Sequence, residues 1–120
     1  ELYKPPFVVV DLGLNTSIDV VDKHGQYLGG VVTVGETLMQ QSLMAQIALT
    51  PALEIKRPKK LIGRDLKHSM QSGTSWGMSA MIKGLVQQVW DEVGQPGKMI
   101  LTGGFAHDFA GEVGADAVDT

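Results

Sequence analysis

Residues 7–34 constrain the fold more than any other stretch of this chain. Three runs that favour extended backbone, Phe7–Asp11, Ser17–Asp22 and Tyr27–Val34, are separated by two turn signals. The first run, FVVVD, is continuously apolar up to its last residue, which suits a central strand covered on both faces. Lys23-His24-Gly25-Gln26 reads as a hairpin turn, with Gly25 supplying backbone angles that other residues resist. Gly29-Gly30 inside the third run predicts a bulge or a close backbone approach. Three such strands in succession make an antiparallel meander.

The first turn carries the chemistry. In DLGLNTSIDV (residues 11–20) an Asp closes the apolar strand, Gly13 follows two positions later, and Asn15, Thr16 and Ser17 fill the turn. A turn of this kind can aim backbone N–H groups and hydroxyls at a phosphate. Asp11 cannot face a phosphate directly, because like charges repel. It becomes useful through a bound cation or water. The segment therefore reads as half of a nucleotide-phosphate clamp.

Beyond Gly35 the pattern changes to helix over Glu36–Leu49, with Leu38, Met39, Leu43, Met44 and Ile47 on one side. Residues 52–64 read as irregular, with one short strand around Leu53–Ile55. Asp65 is a helix N-cap candidate, and a long helical pattern runs from it to Val93. Leu66, Met70, Met78, Met81, Ile82, Leu85, Val89 and Val93 form its apolar stripe. Gly73 and Gly77 lie four apart, so their face is expected to admit a close neighbour. A strand at Lys98–Leu101, the tight junction Thr102-Gly103-Gly104, a helix at Phe105–Glu112 and a strand at Ala115–Val118 complete the order. A meander followed by crossover helices predicts an α/β fold: a mixed sheet with helices packed on it, in the ribonuclease-H-like order. We expect one domain over residues 1–120.

Composition adds mainly exclusions. The net charge of −3 gives no electrostatic case for nucleic acid or a membrane surface. The basic run Lys56-Arg57-Pro58-Lys59-Lys60 reads as a solvated linker, with a small anion patch as the alternative. The chain has no cysteine, which rules out disulfides, thiolate nucleophiles and cysteine metal sites and fits the cytoplasm. His24, His68 and His107 show no metal-pair spacing and are expected at the surface. Trp76 and Trp90 are expected in the core or a dimer contact. The start, ELYKPPF, reads as the tail of an element, cut from a longer protein.

The segments DLGLNTSIDVVDKHGQYLGGVVTVG, IGRDLKHSMQSG (62–73) and LTGGFA (101–106) resemble type III pantothenate kinases, in order and across almost the whole chain. That family belongs to the actin and sugar-kinase superfamily, in which two ribonuclease-H-like halves enclose a nucleotide. This chain resembles the second half. The resemblance implies transfer of the ATP γ-phosphoryl group to pantothenate, the first step toward coenzyme A. It also implies Mg²⁺, a monovalent cation (K⁺ or NH₄⁺) and a homodimer. By the same resemblance Asp11 is the cation-binding residue. Gly13 and Thr16 belong to the loop around the ATP phosphates, and Gly103 and Gly104 lie beside the nucleotide. Asp19 supports the hairpin. The family's first phosphate loop and general-base Asp lie in its first half, so no catalytic residue is assigned here.

Three departures from the family pattern bear on activity. Leu14 stands where the family has a Thr that touches ATP. Leu66 stands where a Thr contacts pantothenate, and Val34 replaces a Pro. The expected reading is a kinase half, inactive without its partner lobe, which is either the other half or a second copy. The alternatives are a non-catalytic regulatory or accessory relative and a self-associating structural module. A dimer is expected through the long helix, where Gly73, Gly77 and the methionine stripe offer a flat contact.

Overall fold

The computed structural model describes residues 3–47 and 56–120. Five strands form one mixed sheet in the order β3-β2-β1-β4-β5. The meander comprises β1 (Phe7–Leu12), β2 (Asn15–Val21) and β3 (Tyr27–Val34), each antiparallel to the last. β4 (Lys98–Thr102) joins β1 in parallel, and the two-residue β5 (Ala117–Val118) joins β4 in parallel. The helices are α1 (Glu36–Ile47), α2 (Leu66–Val93) and α3 (Ala106–Val113). All strands and helices expected in the described residues are present, with ends moved by a few positions. The expected strand at Leu53–Ile55 and the end of the first helix lie outside the described residues.

The core lies on one sheet face. Val8, Val10 and Leu12 of β1, Ile18 and Val20 of β2, and Met99 and Leu101 of β4 pack with Met78, Ile82 and Val86 of α2 and with Phe109 and Val113 of α3. Side chains alternate across a strand, so Val9 and Asp11 point to the opposite face. The glycine pair in β3 does what its place in a strand suggested. The register shifts beside it, between Val20 and Val21, and a Cβ on Gly30 would collide with the Ile18 carbonyl.

Two expectations for the helices need correcting. The buried side of α1 is not wholly apolar: Glu36 and Gln40 are buried, while Leu38 is largely exposed. The reason is its neighbour, since the first half of α2 buries Gln71, Ser72, Thr74 and Ser75. Thr74 and Ser75 satisfy their hydroxyls by donating to carbonyls one turn back, Met70 and Gln71. In the α2 stripe Leu66 falls outside the core, and Val86 lies inside it. Asp65 caps α2 as expected, its carboxylate accepting from the His68 amide, and Gly94 closes the helix in the left-handed conformation.

Candidate functional site

The carboxyl ends of the parallel pair β1 and β4 lie side by side, where ligands enter open α/β sheets. Asp11 pairs with Thr102 in the register, so the β1–β2 turn and the Thr102-Gly103-Gly104 junction share one rim. Asp11 is exposed there. Gly103 has φ of 93°, and a Cβ on it would fall 2.6 Å from Asp11 Oδ1 and 2.7 Å from the Leu12 carbonyl oxygen. Only glycine meets both demands. Gly104 faces open space, and the Phe105 amide donates to the Leu12 carbonyl at 3.1 Å, which ties the junction to the end of β1.

The structure therefore brings Asp11, Gly13, Gly103 and Gly104 together. Gly13 holds the turn through its amide, which donates to the Asn15 carbonyl at 3.1 Å. Asn15, Thr16 and Ser17, expected in the turn, stand in β2 instead; Thr16 pairs with Leu12, is only 1% exposed, and its hydroxyl donates to Met78 Sδ at 3.6 Å. Its contribution to the rim is backbone. Leu14, at the tip, is 79% exposed. Leu66 is distant in the chain and exposed at the start of α2. The three histidines are exposed, as expected.

The donor set suits a phosphate with a hard cation. Asp11 is a single exposed carboxylate, and among the described residues no three His, Cys, Asp or Glu side chains gather to hold a metal ion. A Mg²⁺ at this rim would therefore draw most of its ligands from water and phosphate oxygens, as Mg²⁺ commonly does. The space over Gly104 and the strict glycine at 103 would let phosphate oxygens approach the backbone.

The motifs alone did not reveal what supports the turn from behind. A Cβ on Gly35 would collide with the Leu14 carbonyl and fall 2.7 Å from that of Gly13. Glu36 follows, 5% exposed, and borders a narrow cleft with Leu12, Gly13, Thr16, Met78 and Phe109. Behind that cleft lies a cavity of about 260 Å³ lined by Glu36, Lys56, Arg57, Ser75, Asp108 and Phe109. Burial pushes the Glu36 carboxyl up to about 7, a rise that Arg57 opposes and Asp108 reinforces.

Arg57 corrects the reading of the basic run as solvated. Its guanidinium lies between the rings of Trp76 (4.8 Å) and Phe109 (5.0 Å). It donates to Ser79 Oγ at 2.6 Å and pairs with Glu112 at 3.5 Å. Lys56, Lys59 and Lys60 are exposed. Trp76 is a stacking partner for Arg57, and its Nε1 donates to the Pro58 carbonyl at 3.0 Å. An arginine among lysines in a polar run gives no sign of this, because its partners are 19 or more residues away.

Comparison with solved structures shows the same fold in other proteins. A putative Baf family transcriptional activator from Campylobacter jejuni matches with a TM-score of 0.68 at 21% identity, over 96% of this chain and 51% of that one. A ParM filament protein from Clostridium botulinum matches with a TM-score of 0.55 at 12% identity, over 100% of this chain and 43% of that one. The sequence relatives are closer. The type III pantothenate kinase of Paramagnetospirillum magneticum is 41% identical over 110 residues, covering 92% of this chain and 42% of the relative. That of Rhodospirillum rubrum is 38% identical over 120 residues, covering 100% of this chain and 46% of the relative. The chain thus spans a little under half the length of these curated relatives. The family model for type III pantothenate kinase matches residues 1–88, and with these relatives it establishes that the chain belongs to the type III pantothenate kinase family.

Proposed function

We propose that this chain is the second, ribonuclease-H-like lobe of a pantothenate-phosphorylating enzyme, a single domain over residues 1–120. The juxtaposition of Asp11 with Gly103 is the observation that carries the reading. An exposed carboxylate and a glycine that a side chain cannot replace meet at the ends of two parallel strands. In this reading Asp11 holds Mg²⁺ through water, Gly13 shapes the turn around the phosphates, and Gly103 and Gly104 leave room for the nucleotide. Thr16 supports the turn from within through Met78. Phosphoryl transfer depends on alignment and charge neutralisation more than on covalent chemistry. This lobe would therefore position ATP, while the general base and first phosphate loop come from a partner lobe. The active unit in this proposal pairs this lobe with that partner lobe on the two-lobed plan of actin-like ATPases, and the paired lobes work as a cytoplasmic homodimer that uses K⁺ or NH₄⁺. Alone, the chain is inactive.

The test is a melting experiment followed by reconstitution. Mg²⁺-ATP with K⁺ at a hundred times its dissociation constant should stabilise the chain by about 2.7 kcal/mol, and Asp11→Asn should abolish most of that gain. Adding the first half of a relative should restore pantothenate phosphorylation. A second reading is favoured by Leu14, whose exposed side chain occupies the tip of the turn without a hydroxyl. In that reading the chain is a non-catalytic relative. A folded chain whose melting does not respond to millimolar ATP, and which stays inactive with the other half, would establish it.

A further inference from the structure

We propose that Glu36, which shares a pocket with Arg57 behind the β1–β2 turn, is a positioning residue that makes anion binding at the turn proton-linked. The rim takes a phosphate-bearing ligand with Glu36 neutral and releases it as Glu36 ionises. The inference rests on the nucleotide reading of that rim.

Four observations support it. First, Glu36 stands next to the turn. Gly35 packs against the carbonyls of Gly13 and Leu14, so the start of α1 lies directly against the turn. Second, Glu36 borders both hollows, the cleft under Gly13 and Thr16 and the polar cavity behind it. Its charge therefore lies under the turn proposed to hold phosphate, close enough for the two to interact. Third, its neutralisation is incomplete. Arg57 divides its guanidinium between Ser79, Glu112 and two aromatic rings. Asp108 on α3 adds a like charge, Lys56 is a flexible exposed cation, and α2 contributes the neutral Ser75. Among the described residues, the β1–β2 turn adds no titratable group to either hollow. Burial and Asp108 together place the carboxyl near neutrality. Fourth, the same cluster reaches the other side of the rim. Asp108 and Phe109 stand on α3, which begins directly after Gly103-Gly104 and Phe105.

Linkage then fixes the sign. An anion arriving at the turn disfavours the Glu36 carboxylate, and by reciprocity the carboxylate disfavours the anion. The experiment is calorimetric titration of the chain with ATP in excess Mg²⁺ between pH 6 and 8.5, beside a pH titration of the Gly13 and Gly103 amide signals without ligand. Wild type should bind about 5-fold more weakly at pH 8.5 than at pH 6, and Glu36→Gln should bind at every pH as wild type does at pH 6. The amides of both glycines should titrate together near pH 7 in wild type and not in Glu36→Gln. Asp108→Asn, an exposed change, should lower the midpoint. A pH slope that survives Glu36→Gln, or amides that do not titrate near neutrality, would overturn the proposal. If ATP binds at no pH while the amides still titrate through Glu36, the nucleotide reading falls and the link between Glu36 and the two rims stands.

Discussion

At the scale of single residues, two neighbouring glycines should behave differently. Gly103 combines positive φ with a Cβ position already occupied by Asp11 Oδ1 and the Leu12 carbonyl, whereas nothing lies within 4 Å of the Cβ position on Gly104. Gly103→Ala should destabilise the chain by about 2 kcal/mol or more, and Gly104→Ala should change stability by under about 0.5 kcal/mol. Urea denaturation of the two variants separates them. Glu36 gives a second prediction, with an unusual sign for a carboxylate. Its folded-state value is raised to about 7, so the folded chain holds that proton more tightly than the unfolded chain. The contribution is most favourable below the ordinary carboxylate range, falls as pH rises toward 7, and is flat above. The loss between pH 4.5 and 8 should be on the order of 2–3 kcal/mol, and Glu36→Gln should remove it. Melting curves across that range provide the check.

At the scale of elements, the sheet and the long helix obey their local signals. The unbroken apolar run became the central strand β1, but its cover is uneven: Val8, Val10 and Leu12 are buried in the core, while Val9 is half-buried and Asp11 exposed on the other face. Asp65 and Gly94 mark the ends of α2 by capping chemistry that is readable in one dimension. The helices' neighbours are not readable in that way. The polar side of α1 makes sense only once Gln71, Ser72 and Ser75 of α2 are known to be buried as well. Arg57 joins α2 to α3 by stacking between Trp76 and Phe109. A lysine keeps the charge but loses the planar stack and the fork of donors. Arg57→Lys should therefore cost about 1–2 kcal/mol in urea denaturation, with hydrogen exchange in α3 rising more than in β1.

At the scale of the whole molecule, the dimer face expected on α2 loses its methionines, because Met70 and Met78 are buried within the chain, and keeps only its exposed glycines. Gly73, Gly77 and Gly84 are exposed, and among the described residues nothing outside α2 comes within 4 Å of their Cβ positions. The close neighbour expected at Gly73 and Gly77 is thus not supplied by the described residues. If a second copy supplies it, Gly77→Leu should convert a dimer to a monomer in light scattering. If the face stays in water, the same change should leave the mass unaltered and raise stability by up to about 1 kcal/mol through helix propensity.

The sequence alone determined the order of elements, the meander, the N-cap of α2, and the motifs that carry the kinase resemblance. Each of these rests on interactions within a few residues: alternation, turn chemistry and capping. Tertiary structure decided which of those motifs meet. It set Gly103 against Asp11 across a parallel strand pair, turned Thr16 inward to Met78, and drew Glu36, Arg57 and Asp108 around one cavity. Those contacts join segments tens of residues apart. Burial and electrostatics depend on the distance between groups in space, which the folded chain alone sets.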